Sequence, residues 1–320
     1  MIEMHLLEHI ERWRAQGEPV ALATVVGYRG SAPRPPGARL AVNARGDIVG
    51  SVSGGCVEAE VVETALLVLE TAQPQLLHFG ISDERAWSAG LMCGGEIDVF
   101  VEKLDARFDQ IAQLVRAQTP FTLTTLLSGE QIGQQIITLP RADAAPPQTT
   151  PADTLTFSET IEPARVLYIV GASHISIALV SIAKTLGYRV IVIDPRAAFA
   201  TPERFAHADA LWVDYPQRVL TPAMLSASTA VAVLTHDPKV DDPALRVALN
   251  SEAGYIGALG SRRTHAQRIE RLKQAGISDE QIARIHAPIG LDIGARTPAE
   301  IALAVAAQMV ALQRGGSSAL

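Results

Sequence analysis

The sequence predicts an α/β protein: a mixed α+β domain over residues 1–145, a linker over 146–163, and a doubly wound parallel-sheet domain over 164–320. Three observations predict this. At 320 residues the chain is about twice the usual single-domain length. Its composition shifts between Arg141 and Pro163, where Pro146-Pro147 and Thr149-Thr150-Pro151 break the apolar pattern. Beyond that point short apolar runs alternate with helical periods, the pattern of a parallel sheet with right-handed crossovers.

In the first half, Leu6, Leu7, Ile10 and Trp13 have helical spacing within Glu3–Gln16. Val20–Val26 reads as a strand. It runs into Tyr28–Gly37, whose prolines and glycines exclude regular structure. Arg39–Val42 and Ile48–Val52 form a hairpin around Arg45-Gly46-Asp47, and a helix follows over Val57–Thr71. Strands are expected at Gln75–Gly80, Ile97–Glu102, Phe121–Leu127 and Gln134–Leu139, with a helix over Asp105–Ala117.

In the second half, strands are expected at Arg165–Val170, Arg189–Ile193, Ala210–Val213, Thr229–Leu234 and Tyr255–Ala258. Helices follow the first strand to about Leu186 and lie at Asp242–Asn250 and Arg262–Gln274. The last helix has a clear start: Thr297 as N-cap, Pro298 in the first turn, Glu300 three residues after the cap.

Gly171-Ala172-Ser173-His174-Ile175-Ser176 sits between a strand and a helix, where a dinucleotide fold places its phosphate turn. Ser173 and Ser176 replace the second and third glycines of that turn, and Ser173 crowds the point of closest approach. Asp194 ends the next strand, 23 residues after Gly171, where a ribose-binding acid belongs. The domain is therefore Rossmann-like, with a nucleotide as one candidate ligand and a turn kept only for packing as the competing reading. Three further segments belong to the same sheet edge: Thr235-His236-Asp237, Gly260-Ser261-Arg262-Arg263, and the Pro288–Ala295 loop with Gly290, Asp292 and Gly294. Arg262 and Arg263 lie in a first helical turn, where the macrodipole disfavours cations, so a bound anion would rationalise them.

The two cysteines both adjoin paired glycines, in Gly54-Gly55-Cys56-Val57-Glu58 and Cys93-Gly94-Gly95. Cys56 is expected at a helix N-terminus, which favours the thiolate that serves as nucleophile or soft metal ligand. The glycines are expected to leave backbone N–H groups open to an anion. The competing reading is a pair of buried, inert thiols.

Several function classes are disfavoured. A net charge of −7, from 27 basic and 34 acidic residues, argues against nucleic acid as a partner. Two cysteines make no disulfide framework and suit a reducing compartment. The first residues lack the basic region of a signal peptide, and no apolar run reaches the roughly 18 residues of a membrane span. The best run, Ile301–Leu312, is broken by Gln308. A cytoplasmic protein with no membrane contact is expected.

The segments Ala23–Val26, Ser31–Arg34, Gly50–Glu58, Leu234–Asp237, Tyr255–Arg263 and Pro288–Ala295 together resemble the XdhC family, the maturation factors of xanthine dehydrogenase and related molybdenum hydroxylases. The resemblance implies a chaperone rather than an enzyme. It implies that the chain binds the molybdenum cofactor (molybdopterin) as cargo, protects it during sulfuration and delivers it to an apo molybdenum hydroxylase. It also implies contact with a cysteine desulfurase. Cys56 matches the family's Gly-Gly-Cys motif and is assigned the molybdenum or sulfur contact, and Cys93 matches a second glycine-flanked position. Ser173 stands where the family commonly has glycine. A homodimer is expected. Two other classes stay open: a nicotinamide-dependent oxidoreductase using Asp194 and His236, and a nucleotidyltransferase holding a divalent metal on Asp237, Asp241 and Asp242.

Overall fold

The computed structural model describes residues 4–31, 34–80, 95–140 and 154–315. The chain divides between Pro163 and Ala164 into two units. The first unit is organised by strand β1 (Val20–Arg29), flanked on one side by β2 (Arg39–Asn43) and β3 (Ile48–Gly50), on the other by β5 (Glu96–Lys103) and β4 (Gln75–Phe79), all antiparallel. The start of β1 is apolar without alternation because both faces of this sheet are covered. Ala21, Ala23 and Val25 face helix α2 (Glu58–Thr71) through Val61, Ala65 and Val68. Val20 and Leu22 face the opposite way. There they meet α1 (Met4–Ala15), α3 (Arg107–Arg116) and Phe121 and Leu123 of a second sheet.

That second sheet runs β7 (Gln135–Thr138), β6 (Phe121–Leu126), β8 (Thr156–Ile161), antiparallel throughout. Strand β8 falls inside the stretch read from composition as linker. It is an edge strand whose Thr156, Ser158 and Thr160 are exposed. Its polar outer face and the prolines before it conceal the period-2 pattern.

The second unit is a parallel sheet in the order β11 (Ala210–Trp212), β10 (Arg189–Ile193), β9 (Val166–Val170), β12 (Thr229–Val233), β13 (Tyr255–Ala258), β14 (Ile285–His286). Counted within the unit this is 3-2-1-4-5-6, the order of a dinucleotide-type fold, with its switch point between β9 and β12. Helix α4 (His174–Thr185) covers one face. A four-residue helix α5 (Pro216–Val219), α6 (Pro238–Leu249), α7 (Arg262–Gln274) and the short α8 (Asp279–Ile282) lie between later strands, and α9 (Pro298–Gln313) packs beside α4. The two-residue β14 is too short to carry a pattern. Helix α6 starts four residues before the expected Asp242, because Asp237 caps it and Pro238 takes the first position. Pro243 in its second turn interrupts the helical period that sequence reading relies on. Among the described residues no helix is long and apolar enough to cross a membrane.

Candidate functional site

In the first unit the site is built on the loop between β3 and α2. Gly54 and Gly55 have φ of +80° and +115°, and a Cβ at either would meet nothing within 4 Å. They are glycine for their conformation, not for crowding. That conformation turns consecutive N–H groups inward, and the group they meet is the chain's own Glu58. Its carboxylate accepts from the backbone N–H of Val52 (3.2 Å), Ser53 (2.9 Å), Gly54 (3.1 Å) and Gly55 (2.8 Å), and from the hydroxyls of Ser51 (2.6 Å) and Ser53. Burial pushes this carboxyl up, but the donors from Ser51, Ser53 and Gly55 outweigh it and hold it at about 2. The anion expected in this cradle is therefore an internal one. Cys56 is half-buried, two residues before the first residue of α2, and its N–H donates to Ser53 Oγ at 2.9 Å. Cys93 and Gly94 lie outside the described residues.

In the second unit the predicted segments lie at the carboxyl edge of the parallel sheet. Gly171 has φ +111°, and a Cβ there would come within 2.4 Å of Thr235 Cγ2. Ser173 caps α4, accepting from Ser176 N–H at 3.2 Å, and Ser176 Oγ donates to the Gly171 carbonyl at 2.5 Å. The two serines thus close the turn that glycines would leave free. His174 is exposed at the first helical position.

Asp194 is fully buried. Its carboxylate accepts from Ala172 N–H (2.7 Å), from Arg196 N–H (2.8 Å), and from Arg196 Nε (2.9 Å) and Nη2 (2.7 Å). Burial raises its pKa, and the Arg196 and Ala172 donors overcome that and hold it below the usual range. Both oxygens are engaged, so a ribose hydroxyl would have to displace Arg196, whose guanidinium lies 4.4 Å from the Phe199 ring centroid.

Beyond the switch point, His236 and Asp237 are exposed, and Asp237 caps α6 by accepting from Lys239 N–H at 2.9 Å. The three clustered carboxylates are dispersed in role. Asp241 pairs with Arg268 and Asp242 with Arg271. Among the described residues no group of three or more His, Cys, Asp or Glu side chains is placed to hold a metal ion. Ser261 caps α7, accepting from Thr264 N–H at 3.2 Å, which leaves Arg262 and Arg263 exposed in the first turn. Gly290 is fixed by the buried Gln308, which accepts its N–H at 2.9 Å and the Tyr255 hydroxyl at 2.8 Å. The residue that breaks the apolar run of α9 thus holds the last loop. Asp292 and Gly294 are exposed beyond it.

Sequence reasoning missed Ser51, Ser53, Arg196, Arg268 and Gln308 as parts of this arrangement. Signals existed for two of them. Arg196 follows Asp194 by two residues at a strand end, and Arg268 sits four residues before Leu272 on the buried face of α7.

The fold and these loops define the class: an α+β unit carrying a half-exposed thiol on a self-braced glycine loop, and a Rossmann-type unit with polar loops along its carboxyl edge. Residues 167–309 match the XdhC Rossmann domain and residues 13–80 match the XdhC and CoxI family. The chain belongs to the XdhC/CoxI family. It is 30% identical over 93% of its length, and 84% of the other's, to the molybdenum cofactor insertion chaperone PaoD of Escherichia coli K12. It is 28% identical over 92% of its length to a probable xanthine dehydrogenase subunit of Bacillus subtilis 168, covering 93% of that protein. It is 27% identical to YqeB of E. coli K12 over 99% of its own length, but spans only 48% of that protein. A crystal structure of a xanthine dehydrogenase from Bacillus halodurans superposes with a TM-score of 0.81 at 26% identity, over 97% of this chain and 96% of that one.

Proposed function

We propose that this chain holds a molybdopterin-type cofactor as cargo, protects it during sulfuration and delivers it to an apo molybdenum hydroxylase. The observation that carries the reading is Cys56: a half-exposed thiol on a loop braced by six donors to Glu58, in a chain of this family. A braced loop presents its thiol without ordering cost when cargo arrives. Thiolate sulfur is the soft ligand that suits a thiophilic metal or a sulfur being transferred. The cargo's phosphate finds no free cradle at Gly54 and Gly55, whose N–H groups serve Glu58. In the second unit, taken by itself, the exposed Arg262 and Arg263 in the first turn of α7 are groups that suit a phosphate. A cysteine desulfurase is the partner that would supply sulfur, and the apo hydroxylase the one that would receive the cargo.

The test is the pterin content of the protein after anaerobic incubation with molybdenum cofactor and gel filtration, read as the fluorescent product of acid–iodine oxidation. Near-stoichiometric pterin is expected for the native chain, with loss toward the non-binding control in Cys56→Ala. That variant replaces one small side chain with another and should unfold at the same temperature. Normal retention by Cys56→Ala would make the thiol structural. The nicotinamide reading is favoured instead if the native chain retains no pterin but binds NADH or NADPH at micromolar concentration.

A further inference from the structure

Behind the carboxyl edge of the second unit runs a buried polar chain that the proposed cargo handling does not use. Asp237 N–H donates to Thr235 Oγ1 at 3.1 Å, and Thr235 Oγ1 donates to Asp241 Oδ1. Arg268 Nη2 donates to Asp241 Oδ2 at 3.3 Å and to the Leu259 carbonyl at 2.9 Å. Asp241 is 2% and Arg268 1% exposed. One end of the chain lies in the loop after β12 and the other in the loop after β13. Thr235 also presents its methyl group to Gly171, so tightly that no Cβ fits there. Three loops of the edge therefore meet on one linkage.

Helix packing does not require that linkage. Helices α6 and α7 are already tied by Arg271 to Asp242, at 2.5 and 3.0 Å, and by Leu245 and Leu272 in one apolar cluster. Arg268 is also poorly served as a stabiliser, because its buried Nε and Nη1 have no hydrogen-bond partner among the described residues. A buried ion pair with unmet donors is a weak contributor to stability, and an apolar pair often does as well. We propose that Thr235, Asp241 and Arg268 are positioning residues: a polar spacer that sets the Gly171, Asp237 and Gly260 loops at the separation a ligand on this edge needs. The ligand part rests on the reading that this edge holds the cargo's phosphate.

Thr235→Val tests it, since valine keeps the methyl group against Gly171 and removes only the hydroxyl. The expected result is a folded protein with a lowered unfolding midpoint, about tenfold faster hydrogen exchange at the Asp237 amide, and about tenfold weaker retention of molybdenum cofactor, the scale of one lost hydrogen bond. Asp241→Asn with Thr235 intact still accepts from the hydroxyl through its amide oxygen and should leave exchange at the Asp237 amide close to native. If Thr235→Val does not fold, the pair Asp241→Leu with Arg268→Met replaces the rest of the linkage by apolar groups; it should lower cofactor retention about tenfold while Thr235 still accepts from the Asp237 amide, and native retention in that pair overturns the proposal. Native exchange at Asp237 in folded Thr235→Val overturns the spacer. Faster exchange with native cofactor retention overturns its link to binding. A native chain that retains no cofactor counts against the proposed function, and the exchange rates still decide the spacer.

Discussion

The loop Ser51–Glu58 and the turn Gly171–Ser176 look alike in sequence. Each puts glycine ahead of a helix, and at each an external anion is one of the two readings the sequence leaves open. In the fold, both direct amides at the chain's own carboxylates. Glu58 comes from the helix that follows and remains half-buried. Asp194 comes from the neighbouring strand, is fully buried, and is held by Arg196 as well as by Ala172. A glycine turn thus reports backbone shape. Whether it is a vacant cradle depends on which acceptor the fold brings to it. Under the proposed function the groups left for a ligand are the Cys56 thiol in one unit and the exposed Arg262–Arg263 pair in the other.

The two carboxylates are unequal in burial and in what each holds. Asp194→Ala should lose the most stability, about 3 kcal/mol, because it strips a buried turn amide of its partner and releases Arg196. Thermal unfolding at neutral pH measures this. An equal loss in Glu58→Ala would mean that burial makes no difference between them.

A pH series sharpens the point, because donors and burial act on carboxylates in opposite directions. Glu58 is held at about 2, below the ordinary 4.5, so its contribution is present above pH 4.5 and lost as pH falls toward 2. Glu58→Gln should be about 1–2 kcal/mol less stable than the native chain at neutral pH, after discounting for solvent screening, with the gap closing in acid. Glu102, 7% exposed and bonded to Gln135 at 2.7 Å, lacks such a donor set, and burial pushes it up to about 7. Its sign is reversed: stability present below pH 4.5 is lost as pH rises through 7. Glu102→Gln should therefore be more stable than the native chain above pH 7, by at most about 3 kcal/mol, and equal to it near pH 4.5. Denaturant melts between pH 3 and 9 read both.

Small effects on stability are expected of Arg262→Ala and Arg263→Ala. These exposed side chains oppose the α7 macrodipole, so each should change stability by less than about 0.5 kcal/mol. Cofactor retention should fall instead, with a weaker dependence on salt. A large stability loss without a binding change would make them structural.

Most of the second unit was legible because its signals are local. Apolar runs, helical periods and the Thr297–Glu300 cap each occupy a few neighbouring residues. In the first unit β8 was not legible, since a polar edge strand after a proline-rich stretch reads as linker. Of the candidate site, the sequence placed the polar loops after the parallel strands and Cys56 just before a helix. It did not reveal that Glu58 fills the glycine cradle, that Ser173 is a cap, or that Arg196 occupies Asp194.

The sequence alone determined the fold class of the second unit, the loops along its carboxyl edge and the family. These rest on patterns of residue type at fixed spacing, which the backbone's own geometry turns into elements. Only the tertiary structure decided which hydrogen-bond donors are spoken for. Thr235, Asp241, Arg268 and Leu259 come from separate elements, and Gln308 reaches Gly290 from 18 residues away. A side chain that braces a loop and one that awaits a ligand are the same residue type in sequence. They differ only in what the folded chain places within about 3 Å.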